Sequence, residues 1–221
     1  MSAAAPGSPK SPSRGDSIAP REGHTHAYFT FGRFQPPTLG HRVLAESLDA
    51  KTDGDSYIFV SSSQDNKKNP LDVHTKVSWM KYMFRDLKNV RIINTTVCEC
   101  KGVPAVVNKL REAGYTKITM IVGSDREREF KFLKDVEFME AGAARNNSAA
   151  GATGMSGTKM RAAAVRGNAP AFMAGTGLSE TLALRLMGQI TDGLAKSPKS
   201  RSKKKLRRST RRRRGPHTAD P

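Results

Sequence analysis

Thr38, Gly40 and His41 fall within one short stretch, "TFGRFQPPTLGHRVLAESL" at residues 30–48, just behind Gly32, Arg33 and Phe34. The two prolines stiffen a connection longer than a strand-to-helix turn needs. Thr38 and His41 are three apart on the first turn of the expected helix and so share a face. Gly40 between them removes a side chain and lets a ligand approach the backbone. A phosphate bound there would meet N–H groups, the positive helix end, an imidazole, a hydroxyl and the Arg33 guanidinium. The chemistry implied is capture of a phosphorylated group. Taken alone, the stretch also fits a strand, a turn and a helix with a capping Thr and a surface His.

The flanking residues supply the elements that must position this stretch. "AYFTFGRF" favours a strand through its aromatic content, and Leu39, Val43, Leu44 and Leu48 recur at helical spacing. "SYIFVSSSQ" is a second strand, and "VHTKVSWMKYMFRDL" a helix with Val73, Val77, Met80 and Phe84 on one side. "VRIINTTV" is a strand, "VPAVVNKLREAG" a helix capped at Gly114, and "KITMIVGSD" a buried strand. This alternation predicts a Rossmann-like α/β fold, an open parallel sheet with helices on both faces. In such sheets ligands bind beyond the carboxyl ends of the strands. Further on, Asp125 caps an expected helix "REREFKFL", "AARNNSAAGATGMSG" reads as a loop or a cover over a site, and "TKMRAAAVRG" and "LSETLALRLMGQITDGL" read as helices. Trp79 and Tyr82 at helical spacing read as packing, and Lys67 and Lys68 as solvated loop charges on the side of the expected site.

"GRFQPPTLGH" resembles the first signature, (H/T)xGH, of the nucleotidyltransferase superfamily of adenylyl- and cytidylyltransferases. "MSGTKMR", Met155 to Arg161, resembles the second signature, which opens a late helix. "SSSQDNKKNPLDVHTK" looks like the segment of nicotinamide-mononucleotide adenylyltransferases that runs Ser-x-Gln, Asn-Pro and then a basic residue in a helix. "IVGSDRE" looks like their Gly-x-Asp turn. The resemblance covers residues 28 to about 175. Thr38 replaces the first histidine of the first signature, and Lys76 stands where archaeal-type enzymes tend to carry Arg.

The resemblance implies attack by an acceptor phosphate, or a phosphorylated alcohol, on the α-phosphorus of a nucleoside triphosphate, with release of pyrophosphate. ATP is the expected donor, with CTP open, and nicotinamide mononucleotide the leading acceptor. His41 would steady the phosphates with Thr38 beside it, and Arg161 would add charge. Gly32, Arg33, Phe34, Gly40, Gly123, Asp125, Ser156, Gly157, Thr158 and Lys159 would bind the nucleotide. Mg²⁺ would be held mainly by the triphosphate and water. Ser156 and Thr158 also fit ordinary helix caps.

Charge separates the chain into parts. The net charge is +18, yet residues 28–195 hold 23 basic and 17 acidic side chains. Residues 196–214 hold twelve Lys or Arg and no acid, a run that could take nucleic acid without sequence preference or direct nuclear import. A nuclear or DNA-virus-associated setting follows better than a purely cytoplasmic one. The expected organisation is a disordered arm over 1–26, the nucleotidyltransferase-like domain over 27–192 and a disordered basic tail over 193–221. His24 and His26 lie in the arm and receive no role. Cys98 and Cys100, one residue apart on an expected strand, point to opposite faces, so reduced thiols and an intracellular protein are expected. No apolar run reaches membrane-spanning length, so no membrane partner is expected. A second class of function competes with the enzyme: a nucleotidyltransferase fold kept as a nucleic-acid-associated or structural protein.

Overall fold

The computed structural model describes residues 17–123, 127–130, 132–141 and 155–195. Five strands form one all-parallel sheet in the order β3-β2-β1-β4-β5: β1 His26–Gly32, β2 Asp55–Val60, β3 Val90–Asn94, β4 Lys117–Val122 and β5 Glu137–Glu140. Phe29 sits opposite Tyr57 on one side and Met120 on the other, so β1 is the central strand. Chain order runs outward from β1 through β2 to β3, then returns to β4. The sheet therefore reverses between β1 and β4, and their carboxyl ends splay into a crevice.

Helices cover both faces, as expected of a parallel sheet. Tyr28, Ile58, Val60, Ile92 and Ile121 pack beneath α1 (Leu39–Asp49), α2 (Val73–Met83), α4 (Gly157–Val165), α5 (Ala169–Thr176) and α6 (Glu180–Ala195). Phe29, Tyr57, Phe59, Ile93 and Met120 pack on the opposite face against α3 (Val103–Glu112). Capping side chains open several of these helices. Asp72 accepts from Thr75 N at 2.9 Å ahead of α2, and Asn168 accepts from Ala171 N at 3.0 Å ahead of α5. Trp79 is core, its Nε1 donating to Gln189 Oε1 at 2.7 Å.

Five expectations are corrected. The fold starts before residue 27: Ile18 packs on the core, and fully buried Asp55 accepts from Arg21 N at 2.8 Å and Tyr115 OH at 2.7 Å. Asp55 also pairs with Arg21 Nε at 3.1 Å and Arg91 Nη2 at 3.2 Å, so Arg21, in the described part of the arm, is held by a buried carboxylate. His26 belongs to β1, buried, with Nε2 2.8 Å from Thr119 Oγ1. At the other end, α6 runs to Ala195, beyond the expected boundary at 192.

The segment read as the helix "REREFKFL" forms only a 3₁₀ turn at Glu127–Phe130, followed by β5. Finally, β3 stops at Asn94 and residues 95–99 turn, with Glu99 at φ 55°. The turn brings Cys98 and Cys100 to 5.2 Å between Cα atoms, joined as a disulfide, and the expectation of free thiols, with the compartment inferred from it, loses its basis. The loop 142–154, Asp125 and the tail from 196 lie outside the described residues.

Candidate functional site

A cavity of about 470 Å³ opens at the carboxyl ends of β1 and β4, at the point where the strand order reverses. Its walls bring together Gly32, Arg33, Phe34, His41, Gly123, Ser156, Gly157, Thr158 and Arg161 from three separate stretches of chain. Each of these was singled out in the sequence. Met120, Val122, Phe31 and Phe130 form an apolar side to the same space.

The orientation of His41 follows from its helix cap. Thr38, the residue before α1, is fully buried, and its backbone N–H donates to His41 Nδ1 at 3.1 Å. Thr38 Oγ1 lies 2.9 Å from the same nitrogen. A backbone N–H can only donate, so Nδ1 is an acceptor and the neutral ring carries its proton on Nε2. The ring that lines the cavity therefore has Nε2–H as its donor. Phe34 holds it from the side, edge to face at 4.9 Å between ring centres. Phe34 itself takes a left-handed φ of 48° and folds back over Gly32, where a Cβ would come within 2.8 Å of its ring. Gly32 is required by that close approach.

The late signature is tied to the first by its guanidinium. Arg161, half-buried on α4, donates from Nη1 to the Gln35 carbonyl at 2.6 Å and from Nη2 to Thr158 Oγ1 at 3.2 Å. A Cβ on Gly157 would lie 2.6 Å from that Gln35 oxygen, so only glycine lets α4 dock there. Burial and the neighbouring Arg33 press the Arg161 pKa downward, while Asp65 acts the other way; a guanidinium keeps its proton regardless. Ser156 Oγ accepts from Lys159 N at 3.2 Å, so the hydroxyl is a helix cap that also faces the cavity.

Lys68 lines the cavity too, although its sequence context marked it as a solvated charge. Asp65 Oδ1 accepts from Lys67 N at 2.8 Å and Lys68 N at 2.6 Å, which fixes the loop that carries it. These bonds hold the Asp65 carboxyl well below the usual carboxylate range. The adjacent Asn69-Pro70 pair was the available signal. Gln35, unassigned in the sequence, also lines the wall.

Some expected residues stand apart. Thr38 contacts His41 from beneath and does not line the cavity; Gly40 and the exposed Lys159 are likewise outside the lining. Among the described lining residues there is no carboxylate, against three permanent cations and a histidine. Such a space favours a polyanion. Among the described residues no group of three or more His, Cys, Asp or Glu could hold a metal ion.

An open parallel α/β domain with a cationic, phosphate-directed crevice at its switch point is the class these features define. A family model, Cytidylyltransferase-like, matches residues 29–138, the stretch that carries the first of the two signatures. A curated Sulfurimonas denitrificans protein, named as a probable nicotinate-nucleotide adenylyltransferase, is 29% identical over 100 residues. The match takes in 42% of this chain and 53% of the relative, about half its length. Among solved structures, a candidate nicotinate-nucleotide adenylyltransferase from Vibrio parahaemolyticus superposes with a TM-score of 0.55 at 21% identity, over 74% of this chain and 99% of that one. Plasmodium falciparum nicotinic acid mononucleotide adenylyltransferase, complexed with NaAD, gives 0.53 at 8% identity over 77% and 98%. These likenesses establish the fold.

Proposed function

We propose that the chain transfers an adenylyl group from ATP to a phosphorylated acceptor, nicotinate or nicotinamide mononucleotide first among them. The observation that carries this is the convergence of His41, its Nδ1 taken up by Thr38 N–H, with Arg33, Lys68 and Arg161 on the described walls of one cavity. An acceptor phosphate oxygen attacks the α-phosphorus, the bond to the bridging oxygen breaks, and pyrophosphate leaves with the electron pair. No protein nucleophile is required, only alignment and charge neutralisation. His41 donates to the phosphates, Arg161 and Lys68 counter the charge that builds on the leaving group, and Ser156 and Thr158 face it from the start of α4. Mg²⁺ would enter on the triphosphate, whose oxygens and water suit a hard cation. The donor and acceptor names of the Sulfurimonas and Plasmodium relatives favour adenylyl transfer, and the apolar side of the cavity suits a flat ring.

Pyrophosphate release measured with ATP or CTP against a panel of mononucleotides and phosphorylated alcohols tests the proposal. ATP with a pyridine mononucleotide should turn over fastest. No turnover with any pair would leave the structural alternative.

For residues 196–214, which lie outside the described residues, the charge run supports polyanion binding or nuclear import as an accessory role.

A further inference from the structure

Beside the cavity, α2 carries a lysine with no solvent exposure. Lys76 Nζ donates to the backbone carbonyls of Ser61 and Ser63, the latter at 3.4 Å. Both carbonyls belong to the connection from β2 to α2, which goes on to present Lys68 and Asn69 to the cavity. The same connection is gripped from its other side by Gln35. Gln35 Nε2 donates to Leu71 O at 2.7 Å and Ser63 O at 3.3 Å, and its Oε1 accepts from Leu71 N at 3.0 Å. The Gln35 carbonyl meanwhile takes the Arg161 guanidinium. One partly buried polar chain therefore runs from α2 through the 61–71 connection and the first signature to the late helix.

We propose that Lys76 is a positioning residue, a buried ammonium that locks the 61–71 connection in the conformation that aims Lys68 at the phosphates and couples it, through Gln35, to Arg161. Lys76 stands behind the cavity and does not line it. It also differs from a stabilising ion pair. Burial pushes its pKa down to about 8, and the opposing influence is Asp72, one turn earlier on α2. Among the described residues outside α2, its Nζ hydrogen-bonds the Ser61 and Ser63 carbonyls and pairs with no carboxylate. A depressed lysine pKa means that burial disfavours the charged form, so the charge weakens the fold below pH 8 and that penalty fades as pH rises towards the free-lysine value. Replacing a buried charge by an apolar side chain of similar volume is often close to neutral for the fold, so its removal should be felt mainly in the loop whose carbonyls it holds.

The kinetic arm of the test rests on the adenylyl-transfer proposal; the exchange arm does not. In Lys76→Met, melting temperature at pH 7 should stay within a few degrees of wild type or rise. Amide exchange across 61–71 should accelerate at least tenfold, with the rest of the sheet unchanged. The triphosphate KM should rise at least tenfold with a smaller change in kcat, and Lys76→Arg should recover part of both. Gln35→Leu, which frees the same connection from the other side, should accelerate exchange over the same residues. Unchanged exchange over 61–71 in both variants overturns the proposal, as does a Lys76→Met protein that fails to fold or loosens everywhere at once. If the wild type turned over no acceptor, the adenylyl-transfer proposal would fail while the exchange result still decided this one.

Discussion

His41 is where the geometry commits itself most narrowly, because a single backbone N–H decides which ring nitrogen carries the proton. His41→Ala should lower kcat by about 10²–10³, the usual loss for one preorganised donor. Its stability cost should be only about 1 kcal/mol, for the cap contact it gives Thr38. Steady-state kinetics beside a thermal melt separates the two. Gly157→Ala places a methyl group 2.6 Å from the Gln35 carbonyl that holds Arg161. It should raise the triphosphate KM at least about tenfold, an overpacking effect read directly in a KM series. Half of the cavity's lining residues were singled out in the sequence, nearly all of them in the two signatures. The burial of Thr38 was not, because Met155, 117 residues further on, closes over it. Nor was the burial of Lys76, which depends on carbonyls from another element.

At the level of elements, helical periodicity and aromatic runs marked β1 to β4 and α1 to α3, each long enough to declare its period. β5 was missed for a physical reason. It has four residues, two of them acidic, half out of the core, and becomes a strand only by pairing with β4. The Cys98–Cys100 turn was missed because "VRIINTTV" keeps its β-branched character past the point where pairing with β2 ends at Asn94. The arm before β1 reads as polar, yet Asp55 recruits it. Asp55→Ala leaves Arg21 and Arg91 without their buried carboxylate and should cost about 3–5 kcal/mol, seen in chemical denaturation. Asp55 opens β2 at the amino edge of the sheet, opposite the cavity. The protein that remains folded should therefore keep its KM values.

Across the whole molecule, charge and function separate. The described domain is mildly basic and the dense run lies at 196–214. Deleting 196–221 should leave turnover within about twofold while abolishing salt-sensitive binding to DNA or RNA, checked by kinetics and a gel shift at two salt concentrations. The fold also has an acid side. Burial, with Lys117 adding to it, lowers the His26 pKa below its ordinary 6.5. The unfolded chain takes up that proton first, so stability should fall as pH drops below about 6.5 towards the lowered value. Melting curves between pH 7 and 5 should show the slope, and His26→Gln should flatten it.

The central claim is that the first and late signatures grip one triphosphate, and the most direct measurement is a crystal structure with a non-hydrolysable ATP analogue. The phosphates should lie within hydrogen-bond distance of both His41 Nε2 and the Arg161 guanidinium, with Lys68 alongside. An analogue bound elsewhere, or with its phosphates turned away from His41, would contradict the account.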